Sequence, residues 1–208
     1  SNTRRCWNMF QLPESVESAC NVGCCGIDGC VSTLVGASLV NPDRLCYVVV
    51  GDLTFFYDLN SLGNHHIGTN LRVMLVNNGR GTEFRLGIHH CNVFGDDADK
   101  YMAAAGHFGN KSPLLVKHYA EDLGFHYLSA TTKEEFMTAL SNFTNPQLSD
   151  HSMILEVFTD SKDESEALYL MSHIQSDAKG MVRSKLKDAV RNVAGEKGIN
   201  AIKKILKK

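Results

Sequence analysis

The sequence predicts an α/β protein with three layers, a mostly parallel sheet with helices on both faces. Three observations predict it: nearly continuous apolar runs of strand length, amphipathic segments between them, and capping residues at the ends of those segments. Leu45 to Val50 and Leu71 to Val76 are the clearest strands, because parallel strands buried on both faces have no polar side to show. Met153 to Phe158 is a third run, Phe125 to Leu128 a shorter fourth, and Val16 to Cys20 a further candidate. Ile27, Val31, Leu34 and Val35 recur at helical spacing and predict a core-facing helix from Ile27 to Leu39. Ser112 followed by Pro113 predicts a helix start, with Gly124 ending that helix. Thr131 with Glu134, and Ser161 with Glu164, have capping-box spacing. The helix after Thr131 would bury Phe136, Leu140 and Phe143.

Of the 208 residues 43% are apolar, enough for the core of one large domain or of a domain with an appendage. No run of about 18 apolar residues occurs, so no segment reads as a membrane-spanning helix. The first residues, Ser1 to Arg4, lack an initiator Met and a signal-peptide pattern. They read as a cut end, either of an excised domain or of a piece made for expression. The seven cysteines are an odd number crowded into the first half, which argues against a secreted disulfide framework and for a reducing cytoplasm. Charge divides the chain: residues 177–208 carry +7, leaving −9 for residues 1–176. An acidic globular domain over 1–176 and a basic tail over 177–208 follow. In the tail Val182, Leu186, Ala189, Val190 and Val193, then Ile199, Ile202, Ile205 and Leu206, lie at helical spacing. Two short basic amphipathic helices would suit packing on another domain or subunit, or contact with an anionic membrane surface. Aromatic stacking residues for nucleic acid are lacking there, and no nucleic-acid partner is expected.

The informative residues are Gly51-Asp52-Leu53-Thr54 and Asn77-Asn78-Gly79, each at the C-terminal end of a predicted strand, with 25 residues between Asp52 and Asn78. Ligands of open α/β sheets bind in the crevice beyond those ends. Asp52 offers a carboxylate oxygen and Asn78 an amide oxygen; with phosphate oxygens these suit magnesium. Leu53 and Thr54 open a helix, whose N–H groups, with the Thr54 hydroxyl, can meet phosphate. A lone Gly-Asp is most often a turn with a cap, and a lone Asn-Asn a loop; both after buried strands are harder to dismiss.

This pair resembles the diphosphate-binding signature of thiamine diphosphate-dependent enzymes, Gly-Asp-Gly followed a similar distance later by Asn-Asn. Leu53 stands where most of that superfamily has Gly. The menaquinone-pathway synthase branch carries Gly-Asp-Leu-Ser and then Tyr-Asp-Leu-Asn, and is similar to Gly51-Asp52-Leu53-Thr54 and Tyr57-Asp58-Leu59-Asn60 here. Its preceding loop, Ser-Asn-Arg-Gly-x-x-Gly-Ile-Asp-Gly, is similar to Cys20 through Gly29. The resemblance runs from about residue 10 to 160 and is dense between 20 and 84. It implies the thiamine diphosphate-binding fold, with thiamine diphosphate and Mg2+ as cofactors, and a place as the C-terminal domain of the enzyme. Asp52, Asn78 and the backbone carbonyl of Arg80 match the metal ligands. Gly26, Ile27 and Asp28, with Gly51 to Thr54, match the cofactor's surroundings, Ile27 as the apolar prop beneath it. Phe84 matches an aromatic beside the substrate, and Arg4 matches a substrate arginine by ungapped counting. The branch's loop arginine is Val22 here, which cannot make a bidentate ion pair with a carboxylate, and Arg80 adds a cation where the branch has Gly.

The resemblance also implies a glutamate from a different domain that acts on the cofactor's aminopyrimidine, and this chain has no second domain of that kind. The expected partners are therefore a pyrimidine-binding domain, a homodimer or tetramer, and a 2-oxo acid substrate. The complete enzyme would be a decarboxylase or carboligase, and this chain alone inactive. With Val22 in place of arginine, efficient use of isochorismate and 2-oxoglutarate is not expected. Other readings are a non-catalytic thiamine-fold subunit, or a dinucleotide-binding domain using Gly23, Gly26 and Gly29, whose spacing lacks the tight first turn. Cys24, Cys25 and Cys30 form no C-x-x-C pair for zinc and read as buried structural thiols. His65-His66 and His89-His90 read as surface residues whose rings point apart, and Asp96, Asp97 and Asp99 as a solvated helix start.

Overall fold

A computed structural model of the chain describes residues 2–21, 26–86, 89–101, 112–147 and 150–174. The basic tail lies outside the described residues. Four strands, β1 (Cys46–Gly51), β2 (Leu71–Asn77), β3 (His126–Ala130) and β4 (Met153–Phe158), form one parallel sheet in the order β1-β2-β4-β3. The helices are α1 (Asn2–Trp7), α2 (Cys30–Val40), α3 (Asp52–Asp58), α4 (Ala98–Tyr101), α5 (Leu115–Asp122), α6 (Lys133–Phe143) and α7 (Ser161–His173). None of the described helices is long and apolar enough to cross a membrane.

Alternation along the strands divides the core in two. Val50 of β1, Leu71, Val73 and Leu75 of β2, and Ile154 of β4 pack with Val31, Leu34 and Val35 of α2, Phe55 of α3, and Val116 and Ala120 of α5. On the other face Met153 and Leu155 of β4 pack with Ala139 and Phe143 of α6, flanked by Met74, Leu128, Phe136 and Leu140. Tyr47 on β1 meets Phe143 edge to face at 5.7 Å, so the second layer reaches across the sheet. Each fully buried aliphatic side chain contributes roughly 1.5–3 kcal/mol relative to exposure. The molecule is a three-layer α/β structure, with the predicted layers and an entirely parallel sheet.

Four of the predicted strands form, within two residues of their expected bounds. Val16 to Cys20 does not form a strand and its residues are exposed; Glu17 and Ser18 interrupt its apolar run and no sheet edge accepts it. The helix expected from Ile27 begins at Cys30 instead, because Gly29 takes a left-handed φ of 75° that breaks the run. Its first turn borrows a cap from afar: Asp58 Oδ2 accepts from Ser32 N at 2.7 Å and Ser32 Oγ at 3.0 Å. The helix after Ser112-Pro113 starts at Leu115, those residues forming a turn in which Ser112 Oγ accepts from Leu114 N. Gly124 follows that helix with φ 81°, as a terminator should.

The capping box expected at α6 forms one residue later, and the one expected at α7 gives way to a simple aspartate cap. At α6 the N-cap is Thr132 and its reciprocal partner Glu135, whose carboxylate also accepts from the Thr131 N–H and hydroxyl. A Thr-Thr pair facing a Glu-Glu pair allows either register, and the one chosen gathers three donors on one carboxylate. At α7 the cap is Asp160, whose carboxylate accepts from Lys162 N and Asp163 N. Glu164 is thereby free to turn elsewhere.

Candidate functional site

Parallel pairing sets Gly51 opposite Val76, so Asp52 and the Asn77-Asn78 pair leave neighbouring strands at the same edge of the sheet. Gly51 ends β1 in an extended conformation and Asp52 is the first residue of α3. Asp52 is only 3% exposed, and its Oδ1 accepts from Leu53 N at 2.9 Å. The Leu53 N–H, expected as a phosphate donor, is thus engaged within the protein. Thr54 is also buried, one residue deeper in α3.

The two asparagines form successive side-chain turns. Asn77 Oδ1 accepts from Gly79 N at 3.1 Å, and Asn78 Oδ1 accepts from Arg80 N at 3.0 Å. Gly79 follows them with φ 76°, a conformation that a side chain would strain. Each amide nitrogen is held as well. Asn77 Nδ2 donates to Glu156 Oε1 at 2.7 Å, and Asn78 Nδ2 donates to Thr82 Oγ1 at 2.7 Å and Glu164 Oε2 at 2.9 Å. The Arg80 carbonyl accepts from Thr82 N at 3.1 Å, closing the turn.

Glu156 is a buried acid behind the candidate site that sequence reasoning passed over. It lies inside the run Met153 to Phe158, is 1% exposed, and accepts from Tyr127 O–H at 2.7 Å as well as from Asn77. Burial pushes its carboxyl above the ordinary range; the two hydrogen bonds pull it down and the charge of Asp52 pushes it up further. Tyr127 in turn is driven well above its usual phenol value by burial and by that carboxylate. A glutamate in an apolar parallel strand was itself the available signal, since a buried acid demands partners.

On the other side of Asp52 lies the segment before α2. Ile27 is half-buried and Asp28 exposed. A side chain at Gly26 would come within 2.6 Å of Asp28 Oδ1, so the exposed Asp28 carboxylate would have to swing aside. Asp58, at the end of α3, ties this segment to the Asp52 helix through Ser32. Cys30, next to Asp58, is half-buried and its thiol is raised by burial and then by that carboxylate, so it stays protonated.

Among the residues expected near a substrate, Phe84 is half-buried and packs edge-on against His89 with ring centres 5.1 Å apart. Arg80 is half-buried beside Asn78, and Arg4 is half-buried in α1. Val22 lies outside the described residues. The neighbour of Arg4 makes the contact that counting missed: Arg5 Nη2 pairs with Glu83 Oε1 at 2.7 Å, fastening α1 to the loop before Phe84.

Several other expectations are settled by position. Of the three cysteines expected to be buried, Cys30 is only half-buried, and Cys24 and Cys25 lie outside the described residues; Cys6, Cys46 and Cys91 are half-buried as well and Cys20 is exposed. His65 and His66 are exposed, but they sit in a turn and their rings pack at 3.8 Å rather than pointing apart. Asp97 is exposed and pairs with Lys100. Among the described residues no group of three His, Cys, Asp or Glu side chains could hold a metal; the donor set at Asp52 has a single carboxylate. A cavity of about 340 Å³, lined by Asn64, Phe125 and His151 among others, lies at the opposite edge, where the strands begin.

Fold and site define an open parallel α/β domain whose candidate ligand groups gather beyond the C-terminal strand ends, the usual binding edge of such sheets. No family model matches the chain. It is 34% identical over 168 residues to the 2-succinyl-5-enolpyruvyl-6-hydroxy-3-cyclohexene-1-carboxylate synthase of Bacteroides fragilis, covering 81% of this chain and 29% of that protein. The synthase of Phocaeicola vulgatus is 35% identical over 171 residues, 81% of this chain and 28% of its own. That of Christiangramia forsetii is 35% identical over 168 residues, 81% and 27%. The chain belongs to this synthase family as a domain-sized part, spanning less than a third of the length of the curated relatives it matches.

Proposed function

We propose that the chain is the diphosphate- and magnesium-binding domain of a thiamine diphosphate-dependent 2-oxo acid decarboxylase or carboligase. The observation that carries this reading is the pairing of Asp52 with Asn78 at adjacent strand ends, in a chain of the synthase family. The Asp52 carboxylate, Asn78 Oδ1 and the Arg80 carbonyl would hold magnesium. All three are hard oxygens of the kind magnesium selects alongside phosphate. Three carboxylates, Asp52, Glu156 and Glu164, stand in or directly behind this edge, and their summed field favours a cation. Both N–H groups of Asn78 are spent inside the protein, so its oxygen is the atom available to an outside ligand.

Thiamine diphosphate, when bound, supplies an acidic ring carbon that acts as a nucleophile toward 2-oxo acids. This chain's part is to hold and orient. Gly51, Asp52, Leu53 and Thr54 form the wall at the diphosphate, with Leu53 N–H committed to Asp52, so the cation carries most of that contact. Gly26, Ile27 and Asp28 form the facing wall, with Ile27 as apolar support. A pyrimidine-binding domain, from the same protein in a homodimer or tetramer, would complete the site with its glutamate. For the acceptor, Val22 stands where the branch has the loop arginine that would receive a carboxylate. We therefore propose an acyl-anion transfer or decarboxylation other than the isochorismate reaction.

Calorimetry with thiamine diphosphate, with and without magnesium, tests the cofactor assignment. Asp52→Ala should lose at least 10-fold in magnesium-dependent affinity, in line with roughly 1.5–3 kcal/mol for a lost charged contact. Wild-type affinity in that variant would sink the assignment.

A further inference from the structure

Asn78 has two chemically opposite ends, an oxygen that accepts and a nitrogen that donates, and only the oxygen can bind a cation. Nothing within the side chain itself decides which end faces outward. The decision is made by its neighbours. The Arg80 N–H donates to Asn78 Oδ1 at 3.0 Å, while Thr82 Oγ1 takes one amide N–H at 2.7 Å and Glu164 Oε2 takes the other at 2.9 Å. Glu164 is held in turn, because its second oxygen accepts from the Thr159 hydroxyl. Thr159 continues the β4 edge of the sheet, its N–H bonded to the Asn77 carbonyl at 3.0 Å. A carboxylate in the first turn of α7 is therefore tied to the same strand ends as the amide that it orients. Asp160 takes over the capping of α7, so Glu164 is not required by its own helix.

We propose that Glu164 is a positioning residue, which fixes the amide of Asn78 so that its oxygen faces the cation. This rests on the reading of Asn78 as a magnesium ligand. The carboxylate acts as an acceptor: with the Arg80 N–H already on the amide oxygen, it excludes the flipped amide from the nitrogen side. Thr82 alone cannot do this, since a hydroxyl can donate to an amide oxygen as readily as it accepts from an amide nitrogen.

The test is magnesium binding by calorimetry on the full chain in the presence of thiamine diphosphate. The variants are Asp52→Ala, Asn78→Ala, Glu164→Ala, Glu164→Gln and the double Asn78→Ala/Glu164→Ala, each with its melting temperature. Outer partners of metal ligands are typically worth about 10- to 100-fold in affinity, and the surviving Thr82 contact places Glu164→Ala at about 10-fold. Glu164→Gln, whose side-chain oxygen can accept the same N–H, should recover most of that loss. In the Asn78→Ala background the effect of Glu164→Ala should shrink to under about 2-fold, because no amide remains to orient. Unchanged affinity in Glu164→Ala, or the same loss with and without Asn78, would overturn the proposal while Asp52 and Asn78 still prove essential. If Asp52→Ala and Asn78→Ala themselves bind as wild type does, the magnesium site falls, and Glu164 with it.

Discussion

Replacing Glu156 separates what its charge does from what its hydrogen bonds do. Glu156→Ala leaves the Asn77 amide N–H and the Tyr127 hydroxyl facing a void in a fully buried place. Two orphaned donors cost about 1–3 kcal/mol each, so the variant should lose roughly 2–5 kcal/mol once release of the buried charge offsets part of it. Glu156→Gln keeps the shape and an acceptor for Asn77, while its N–H can donate to the Tyr127 oxygen. The distinction then appears in pH. Burial raises the Glu156 carboxyl in the folded protein above its ordinary value of 4.5. In the window from that value up to the raised one, the folded state binds more protons than the unfolded state. Stability from this group is complete below the window and falls as pH rises through it, by at most about 1.4 kcal/mol per pH unit. Urea unfolding of wild type and Glu156→Gln between pH 4 and 8 reads the difference directly. Wild type should lose stability relative to the glutamine variant with rising pH. Parallel curves would refute a raised carboxyl, and a loss under about 1 kcal/mol in Glu156→Ala would refute the weight given to the network.

The packing and capping readings have their own checks. Phe143→Ala, which empties the buried contact between α6 and the sheet and removes the Tyr47 edge contact, should cost about 3–5 kcal/mol in chemical unfolding. Asp58→Ala removes the remote cap of α2, and a cap of this kind is worth about 0.5–2 kcal/mol. Amide hydrogen exchange should place its loosening at residues 30–34; unchanged protection there would mean that Asp58 does not cap α2.

The sheet was legible because parallel strands buried on both sides have little freedom in composition. Leu71 to Val76 can hardly be anything else. Gly51-Asp52 and Asn77-Asn78 stood out for the same reason, being the polar punctuation of such runs. What stayed hidden depends on three-dimensional choice. Glu156 passed as part of an apolar run because the partner that makes it tolerable, Tyr127, is 29 positions away on another strand. The capping box of α6 slipped by one residue because doubled threonines and glutamates offer two registers of equal local merit, and at α7 Asp160 outcompeted Ser161 as the cap. Ile27 fits the helical spacing of α2 but lies outside it, since backbone sign at Gly29 outweighs side-chain periodicity. The Arg5–Glu83 ion pair that fastens α1 to the Phe84 loop could not be read in advance, because its partners lie 78 positions apart along the chain.

The asparagine pair then gains a meaning that its sequence lacks. Each amide oxygen closes a turn two residues ahead, and each amide nitrogen is secured by a carboxylate from the β4 side, Glu156 for Asn77 and Glu164 for Asn78. The two acids differ in surroundings, one fully buried beneath the sheet end and the other part-exposed on α7. The inner pair makes the turn rigid at the cost of burying a charge, and the outer pair aims the side chain that the turn carries. Within the loop the Arg80 N–H already selects the Asn78 oxygen, and Glu164 adds, on the nitrogen side, an acceptor that a flipped amide could not satisfy. Because β2 and β4 are hydrogen-bonded neighbours from Arg72 to Asn77, the acids that make the choice are held in the same rigid frame as the loop. A disturbance deep in β4 should therefore reach the Asn78 turn without touching it, which is why Glu156 and Glu164 need testing apart.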